Sequence, residues 1–255
     1  MIPIEVEILI GLATGLVVGI TGASGVLLVV PLLTLLLNFQ MHTAVGTSLF
    51  VDVITPLFVA FSYYRHGEVN PKAALWLAIG AILGAQAGAL VANAFVPSDL
   101  MSKGFVLFML IMAVSMWVKS FRPKQENTRV RFSEMNNKNR LITFGIGLIL
   151  GINSGLFGAG GGLMFLLVLI IILKYPTKLA VGTSSLIMAM TAASGTIGYA
   201  IQGNVDFQTG AIIAVAAVIS GLLGARLANK VPENTLNRIV GTAFGIIGIA
   251  MYFLK

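Results

Sequence analysis

Apolar residues run along this chain in long blocks, with the polar positions gathered between them. The blocks cover residues 2–37, 43–64, 73–96, 104–118, 141–173, 179–201, 209–228 and 239–254. A helix crosses a hydrocarbon core of about 30 Å with about 20 apolar residues, so all but the first and fifth blocks predict one transmembrane helix each. Those two are too long: thirty-odd residues of helix would reach about 50 Å at ~1.5 Å per residue. Each carries glycines in its middle, at 19–25 and at 155–162. Glycine costs about 1 kcal/mol in a helix interior and permits turns closed to other residues. Each long block is therefore predicted to be two short helices joined by a break.

The pattern is also written twice. Ala44-Val45-Gly46-Thr47-Ser48 returns unchanged as Ala180-Val181-Gly182-Thr183-Ser184, an offset of 136 residues. The glycines of the first break return at the same offset, as do Gly67 at Gly203, Gly88-Ala89 at Gly224-Ala225 and Ala92-Asn93 at Ala228-Asn229. The predicted organisation is repeat 1 over residues 1–118, a polar linker over 119–140 and repeat 2 over 141–255. A duplicated hydrophobic chain with broken helices is the pattern of secondary transporters, whose site lies where the halves meet.

Composition strengthens the membrane reading. The chain is 57% hydrophobic and only 10% charged, against ~25% charged in a soluble domain. It has no cysteine and two histidines, which leaves out thiolate metal sites and predicts neither metal nor cofactor. No basic n-region of a cleavable signal peptide precedes the first block. The net charge of +7 reads as loop charge that orients a membrane protein rather than as a nucleic-acid surface.

Charge then chooses the topology. The linker carries Lys119, Arg122, Lys124, Arg129, Arg131, Lys138 and Arg140, so the positive-inside rule makes it cytoplasmic. If each long block crossed once, Lys174, Lys178, Arg226, Lys230 and Arg238 would fall outside with Lys103. If each is a hairpin returning to its starting side, all but Lys103 and Lys255 of the sixteen basic residues lie inside. The expected fold is an all-α polytopic membrane protein of two inverted repeats, each a glycine-broken hairpin plus three transmembrane helices, with both termini outside. Tyr63, Tyr64, Trp117, Tyr175, Tyr199 and Tyr252 fall near predicted span ends, where interfacial belts form.

The breaks are the first candidate for chemistry. Irregular backbone at membrane depth is tolerated only where protein buries it or it lines a cavity. The head of each second half-helix presents unpaired N–H groups that favour an anion. Ala23-Ser24-Gly25 and Ala159-Gly160-Gly161 open those heads, with Thr21, Gly22, Asn153, Ser154 and Gly158 beside them. The bland alternative is close helix packing by small residues. A second candidate is the stripe of Thr47, Ser48, Asp52 and Thr55, matched by Thr183, Ser184, Met188 and Thr191. Serine and threonine in a membrane helix often bond only their own backbone, whereas a stripe present in both halves suits a cavity wall. Asp52 is the acidic residue deep in a span, and an intramembrane carboxylate is expensive enough to be a functional candidate; it is read either as a proton carrier or as a structural hydrogen bond to a neighbouring helix. Arg226 sits where the other half has Leu90, and either snorkels or faces an anion. His42 and His66 lie at span ends. Gly22-Ala23-Ser24-Gly25 superficially suits an intramembrane serine hydrolase, but no histidine is placed to serve it.

These motifs resemble the TauE/SafE sulfite-exporter family, also called the four-toluene sulfonate uptake permeases. The resemblance rests on the first break with its apolar run and Pro31, Ala44–Ser48, and Arg65-His66-Gly67-Glu68-Val69. In the second half it rests on 155–162, 180–184 and Gly203-Asn204-Val205-Asp206. Two departures are Ser24, where the family favours glycine, and Leu167, which stands where the first half has Pro31. The resemblance implies transport of small sulfur-containing anions such as sulfite, sulfonates or sulfoacetate across a cell membrane. A passive anion channel is the alternative in another class.

Overall fold

The computed structural model describes residues 3–21, 24–121, 137–158, 161–171, 173, 175–227 and 233–254. Among them the apolar blocks form ten helices: α1 (Ile4–Thr21), α2 (Val26–Leu36), α3 (Met41–Arg65), α4 (Pro71–Phe95), α5 (Ser98–Ser120), α6 (Asn137–Phe157), α7 (Gly161–Ile171), α8 (Thr177–Ile201), α9 (Phe207–Leu227) and α10 (Glu233–Leu254). Both overlong blocks are interrupted at their glycines. α3, α4, α5, α6, α8 and α9 are each long and apolar enough to cross a membrane. The large side chains left exposed are apolar, such as Leu9 and Leu16 on α1, Leu107 and Val114 on α5, and Ile149 on α6. That is the surface of a multi-pass membrane protein, where lipid takes the place of a second layer.

Helix ends follow local rules. α3 and α8 both stop at a glycine in the left-handed region, Gly67 and Gly203, each at φ 72°. There Gly67 N–H donates to the Tyr64 carbonyl and Glu68 N–H to Tyr63, while Gly203 N–H donates to Ala200 and Asn204 N–H to Tyr199. These bonds satisfy carbonyls that a helix end would otherwise leave without donors.

Small residues set the closest approaches. Gly80, Gly84 and Gly88 of α4 lie against the backbone of Phe144, Leu148 and Ile152 of α6, and Gly147, Gly151 and Gly155 of α6 against Leu77, Ala81 and Ala85 of α4. A second seam between the halves has Gly11, Gly15 and Gly19 of α1 against Ile213, Ala217 and Gly221 of α9. At 136 residues' offset these are equivalent pairs, so α1 packs on α9 as α6 packs on α4. Without a cavity-filling solvent effect between helices in lipid, such small-residue seams let backbones meet closely enough for dispersion to act.

The order of the contacts gives helix directions. α4 with α6 and α1 with α9 run parallel, whereas α3 with α8 runs antiparallel, since Gly46 meets Asn204 and Gly182 meets Glu68. α5 and α10 are antiparallel too: Arg238 Nε donates to Ser120 Oγ at 3.3 Å, and Gly248 lies by Met109 and Leu110. Two ends result. At one, Glu7 lies beside Thr209 and Thr47 beside Asp206. At the other, Lys178 lies beside Glu68, with Arg226 in the same pocket. We call these the acidic and basic ends. Lys178 and Arg226 thus lie at the same end of the helices as Glu68. α1 and α3 both start at the acidic end, and α6 and α8 both start at the basic end.

The aromatic expectation fails at Tyr199. Tyr199 is buried, and its hydroxyl donates to the carbonyls of Gly155 at 3.1 Å and Leu156 at 3.2 Å. These are among the last carbonyls of α6, which lack helical donors. Tyr199 ties the second break to α8 instead of anchoring at the interface.

Candidate functional site

α1 ends at Thr21 and α2 begins at Val26; between them Ser24 and Gly25 are buried against α3. Ser24 Oγ donates to Asp52 Oδ2 at 2.5 Å, and Gly25 N–H donates to Asp52 Oδ1 at 3.0 Å. Ser24 Oγ also accepts from Val26 N–H at 3.3 Å. The carboxylate of Asp52 therefore sits at the head of α2, where the amides and helix dipole favour negative charge. A Cβ at Gly25 would stand 2.8 Å from Asp52 Oδ1 and 2.5 Å from Thr14 Cγ2. Glycine is required there because carboxylate and α1 both close on the backbone.

Around this contact lie groups with unused hydrogen-bonding capacity. Thr14 Oγ1 and Thr55 Oγ1 are buried without a hydrogen-bond partner. Thr55 lies one turn beyond Asp52, near Gly221 of α9. Pro56 inside α3 has no N–H to give the Asp52 carbonyl, which loosens the helix there. Thr14 was not visible to sequence reasoning. Its only signal was a polar residue in the otherwise small and apolar face of α1.

The second half repeats the frame without the carboxylate. Met188 stands at the place of Asp52, and Ala192 at the place of Pro56. Thr191 Oγ1, equivalent to Thr55, donates to its own Ile187 carbonyl at 2.8 Å. α7 opens at Gly161; a Cβ there would stand 3.5 Å from Ser154 Oγ. Ser154 is buried, and Asn153 Oδ1 is buried without a partner. Gly158 turns the break with φ 66°. A Cβ on it would lie 3.2 Å from Val26 Cγ1 and 2.8 Å from Val45 Cγ1. Val26 is the first residue of α2, so the second break lies against the head of the helix that follows the first.

The repeated Gly-Thr-Ser strings make bonds to the opposite half and to their own helices. Thr47 Oγ1 accepts from Asp206 N–H at 2.9 Å, and Thr183 Oγ1 accepts from Asn70 N–H at 3.0 Å. Each threonine holds the loop of the opposite half, and Gly46 and Gly182 admit that loop's backbone. Ser48 and Ser184 donate to their own helices at Val45 and Val181. The structure thus brings Ser24, Gly25, Asp52 and Thr55 together and places Asn153, Ser154, Gly158 and Gly161 at the facing break. Gly22, Ala23 and Gly160 lie outside the described residues, as does the side chain of Thr21.

The histidines are engaged elsewhere. His42 Nε2–H donates to the Ala92 and Val96 carbonyls, and Nδ1 accepts from Ser98. His66 Nδ1–H donates to Ser62 O at 2.7 Å. Neither bonds Ser24. Among the described residues no group of three or more histidine, aspartate or glutamate side chains is placed to hold a metal.

Comparison with known proteins agrees with this architecture. Residues 7–251 match the family model described as sulfite exporter TauE/SafE. The chain is similar to the probable membrane transporter protein YdhB of Bacillus subtilis, 31% identical over 96% of this chain and 99% of that protein. It is similar also to YunE of Bacillus subtilis, at 27% identity with 96% of each chain covered. MJ0441 of Methanocaldococcus jannaschii, again a probable membrane transporter protein, is 29% identical over 96% of this chain and 93% of its own. No solved structure matches. With the match running almost from end to end, this chain belongs to the TauE/SafE family of membrane transporters.

Proposed function

We propose that this protein is a secondary transporter of small sulfur-containing anions, of the sulfite, sulfonate or sulfoacetate class. It works by alternating access of two inverted halves about a site near the membrane midplane. The observation that carries the reading is the meeting of the two breaks, Gly158 against Val26, with a carboxylate at one helix head and none at the other. Inversion is supported by direction: the α1–α2 hairpin belongs to the acidic end and the α6–α7 hairpin to the basic end. The positive-inside rule then puts the basic end and the 119–140 linker in the cytoplasm of a cell membrane.

The chemistry follows from competition for amides. At α2, Asp52 itself accepts from Gly25 N–H and Ser24. At α7, Met188 leaves the head without an internal carboxylate, and Ser154 and Asn153 supply polar atoms beside it. The substrate anion binds at α7 and extends toward α2. An ionised Asp52 and a second anion cannot share one small buried space, because like charges there disfavour one another. Both are held only when Asp52 carries a proton, so anion and proton move together. Binding and release need no covalent step, and Ser24 serves as a hydrogen-bond partner.

The test is counterflow in proteoliposomes loaded with sulfite or a small sulfonate. Saturable counterflow is the expected result; large unitary currents would replace the carrier with an anion channel.

A further inference from the structure

At the basic end, where α3 finishes, α8 starts and α9 finishes, lies a cavity of about 280 Å³. Its polar lining is Ser62, Tyr63, His66, Glu68, Lys178 and Arg226. That volume is just below the ~300–1,000 Å³ of sites for drug-sized ligands. Lys178 Nζ stands 3.8 Å from Glu68 Oε1, a loose pair. Arg226 makes no ion pair among the described residues. His66 uses Nδ1 on Ser62 O, leaving Nε2 available. Two fixed cations therefore face one carboxylate.

The duplication supplies an internal control. The acidic end carries the same frame with His42 in place of Lys178, Gln202 for His66, Asn204 for Glu68 and Leu90 for Arg226. There the polar groups bond neighbouring elements. Asn204 Nδ2 donates to Asn93 Oδ1 at 2.6 Å, and His42 Nε2–H bonds the carbonyls at the end of α4. Tyr199 bonds α6, whereas Tyr63, its equivalent, lines the open cavity. In one backbone arrangement the equivalent groups are hydrogen-bonded to neighbouring helices at one end and line a cavity with excess positive charge at the other.

We infer that the cavity at the basic end is an entry vestibule that collects small oxyanions of sulfur acids before they reach the breaks, with Arg226 and Lys178 as its attracting charges. The inference rests on the transport reading above and adds the place of first contact. Like-signed charge in a concave rim raises the local concentration of the opposite ion about tenfold or more, and salt removes the effect over a Debye length of about 8 Å at physiological strength.

In proteoliposomes, Arg226→Gln and Lys178→Gln should each raise the KM for sulfite offered from the basic end by roughly three- to tenfold at low salt. The kcat and the KM from the acidic end should stay unchanged, and the difference should shrink at high salt. Should Arg226→Gln fail to fold, Arg226→Leu, which brings in the residue that the other end already carries at this place, takes its part with the same expected rise in KM. An unchanged KM at low salt overturns the vestibule. A second readout needs no transport, because the chain has no cysteine. Ser62→Cys should react several-fold faster with an anionic sulfonatoethyl methanethiosulfonate than with its cationic trimethylammonioethyl counterpart, and Arg226→Gln should lower that ratio. Preference for the cationic reagent, or a ratio that Arg226→Gln leaves unmoved, overturns the vestibule even where sulfite transport is observed. An anionic preference in a protein that carries neither sulfite nor sulfonate supports the vestibule and overturns the transport reading alone.

Discussion

Replacing Asp52 separates a proton carrier from a structural acceptor. Its carboxylate accepts two hydrogen bonds, from Ser24 Oγ at 2.5 Å and Gly25 N–H at 3.0 Å. Asp52→Ala leaves both donors without that acceptor. A buried donor so stranded costs about 1–3 kcal/mol, and polar pairs between membrane helices run nearer ~0.6–2 kcal/mol. The expected loss is about 2–4 kcal/mol for the two together. Asp52→Asn is milder. Its Oδ1 keeps the bond from Gly25, while Nδ2 donates to Ser24 Oγ, as the protonated acid would. Only the Ser24 hydroxyl hydrogen must be redirected, at about 1 kcal/mol.

The asparagine is thus a fixed copy of the neutral acid in nearly the same geometry. Flux against pH, normalised to inserted protein, should show a pH-dependent wild type and an Asp52→Asn variant that still exchanges substrate without pH dependence. Asp52→Ala should lose thermal stability in detergent and most of its flux. A pH profile unchanged in Asp52→Asn refutes the coupling argument, because that variant has no proton to carry. Equal stability of the alanine and asparagine variants refutes the energetic argument, because only asparagine keeps an acceptor for Gly25.

Three further outcomes are expected. Single cysteines at Glu5 and Lys255 should label from outside and one at Gln125 from the cytoplasm; an external Glu5 with a cytoplasmic Lys255 would sink the inverted topology. Gly25→Leu and Gly161→Leu should abolish sulfite counterflow with much of the protein still inserted, the first more damaging to stability because its Cβ meets Asp52 and Thr14 while the space at Gly161 is bounded by the ring of Phe165; wild-type flux in both would remove the breaks from the site. Thr47→Val and Thr183→Val should each lower stability by about 1 kcal/mol through the lost loop bond, measured as thermal unfolding in detergent, and a changed KM without a stability change would instead put these threonines on substrate.

The sequence made the helices, the breaks and the duplication legible because each is a pattern of residue type along the chain. Block length against membrane thickness pointed to an interruption in each long block. α2 and α7 begin at Val26 and Gly161, within a residue or two of the glycines that predicted them. Partnership across the fold was not legible. Nothing in local spacing says that Thr47 bonds Asp206, that Tyr199 bonds the end of α6, or that Asp52 reaches back to Ser24. Those bonds span tens to more than a hundred residues and depend on how the halves dock.

Comparing the halves at equivalent positions separates scaffold from chemistry. What stays identical is what each half does for the other: Gly46-Thr47 and Gly182-Thr183 dock reciprocal loops, and the glycine seams of α1 and α6 admit α9 and α4. A reciprocal contact must be satisfied twice, so a change in one copy alone would leave one loop undocked. What differs is free of that constraint. Asp52 faces Ser24 where the other half has Met188, Pro56 interrupts α3 where α8 has Ala192, Thr55 is unbonded where Thr191 is bonded, and Arg226 stands for Leu90. All four differences put the charge or the unused polar group in, or facing, the half that begins at the acidic end. A carrier that only needed two equivalent gates would gain nothing from them. One that must load a proton at one helix head while an anion sits at the other needs such an imbalance, and Asp52→Asn, which keeps the bonds to Ser24 and Gly25, is the change that should alter coupling with the fold intact.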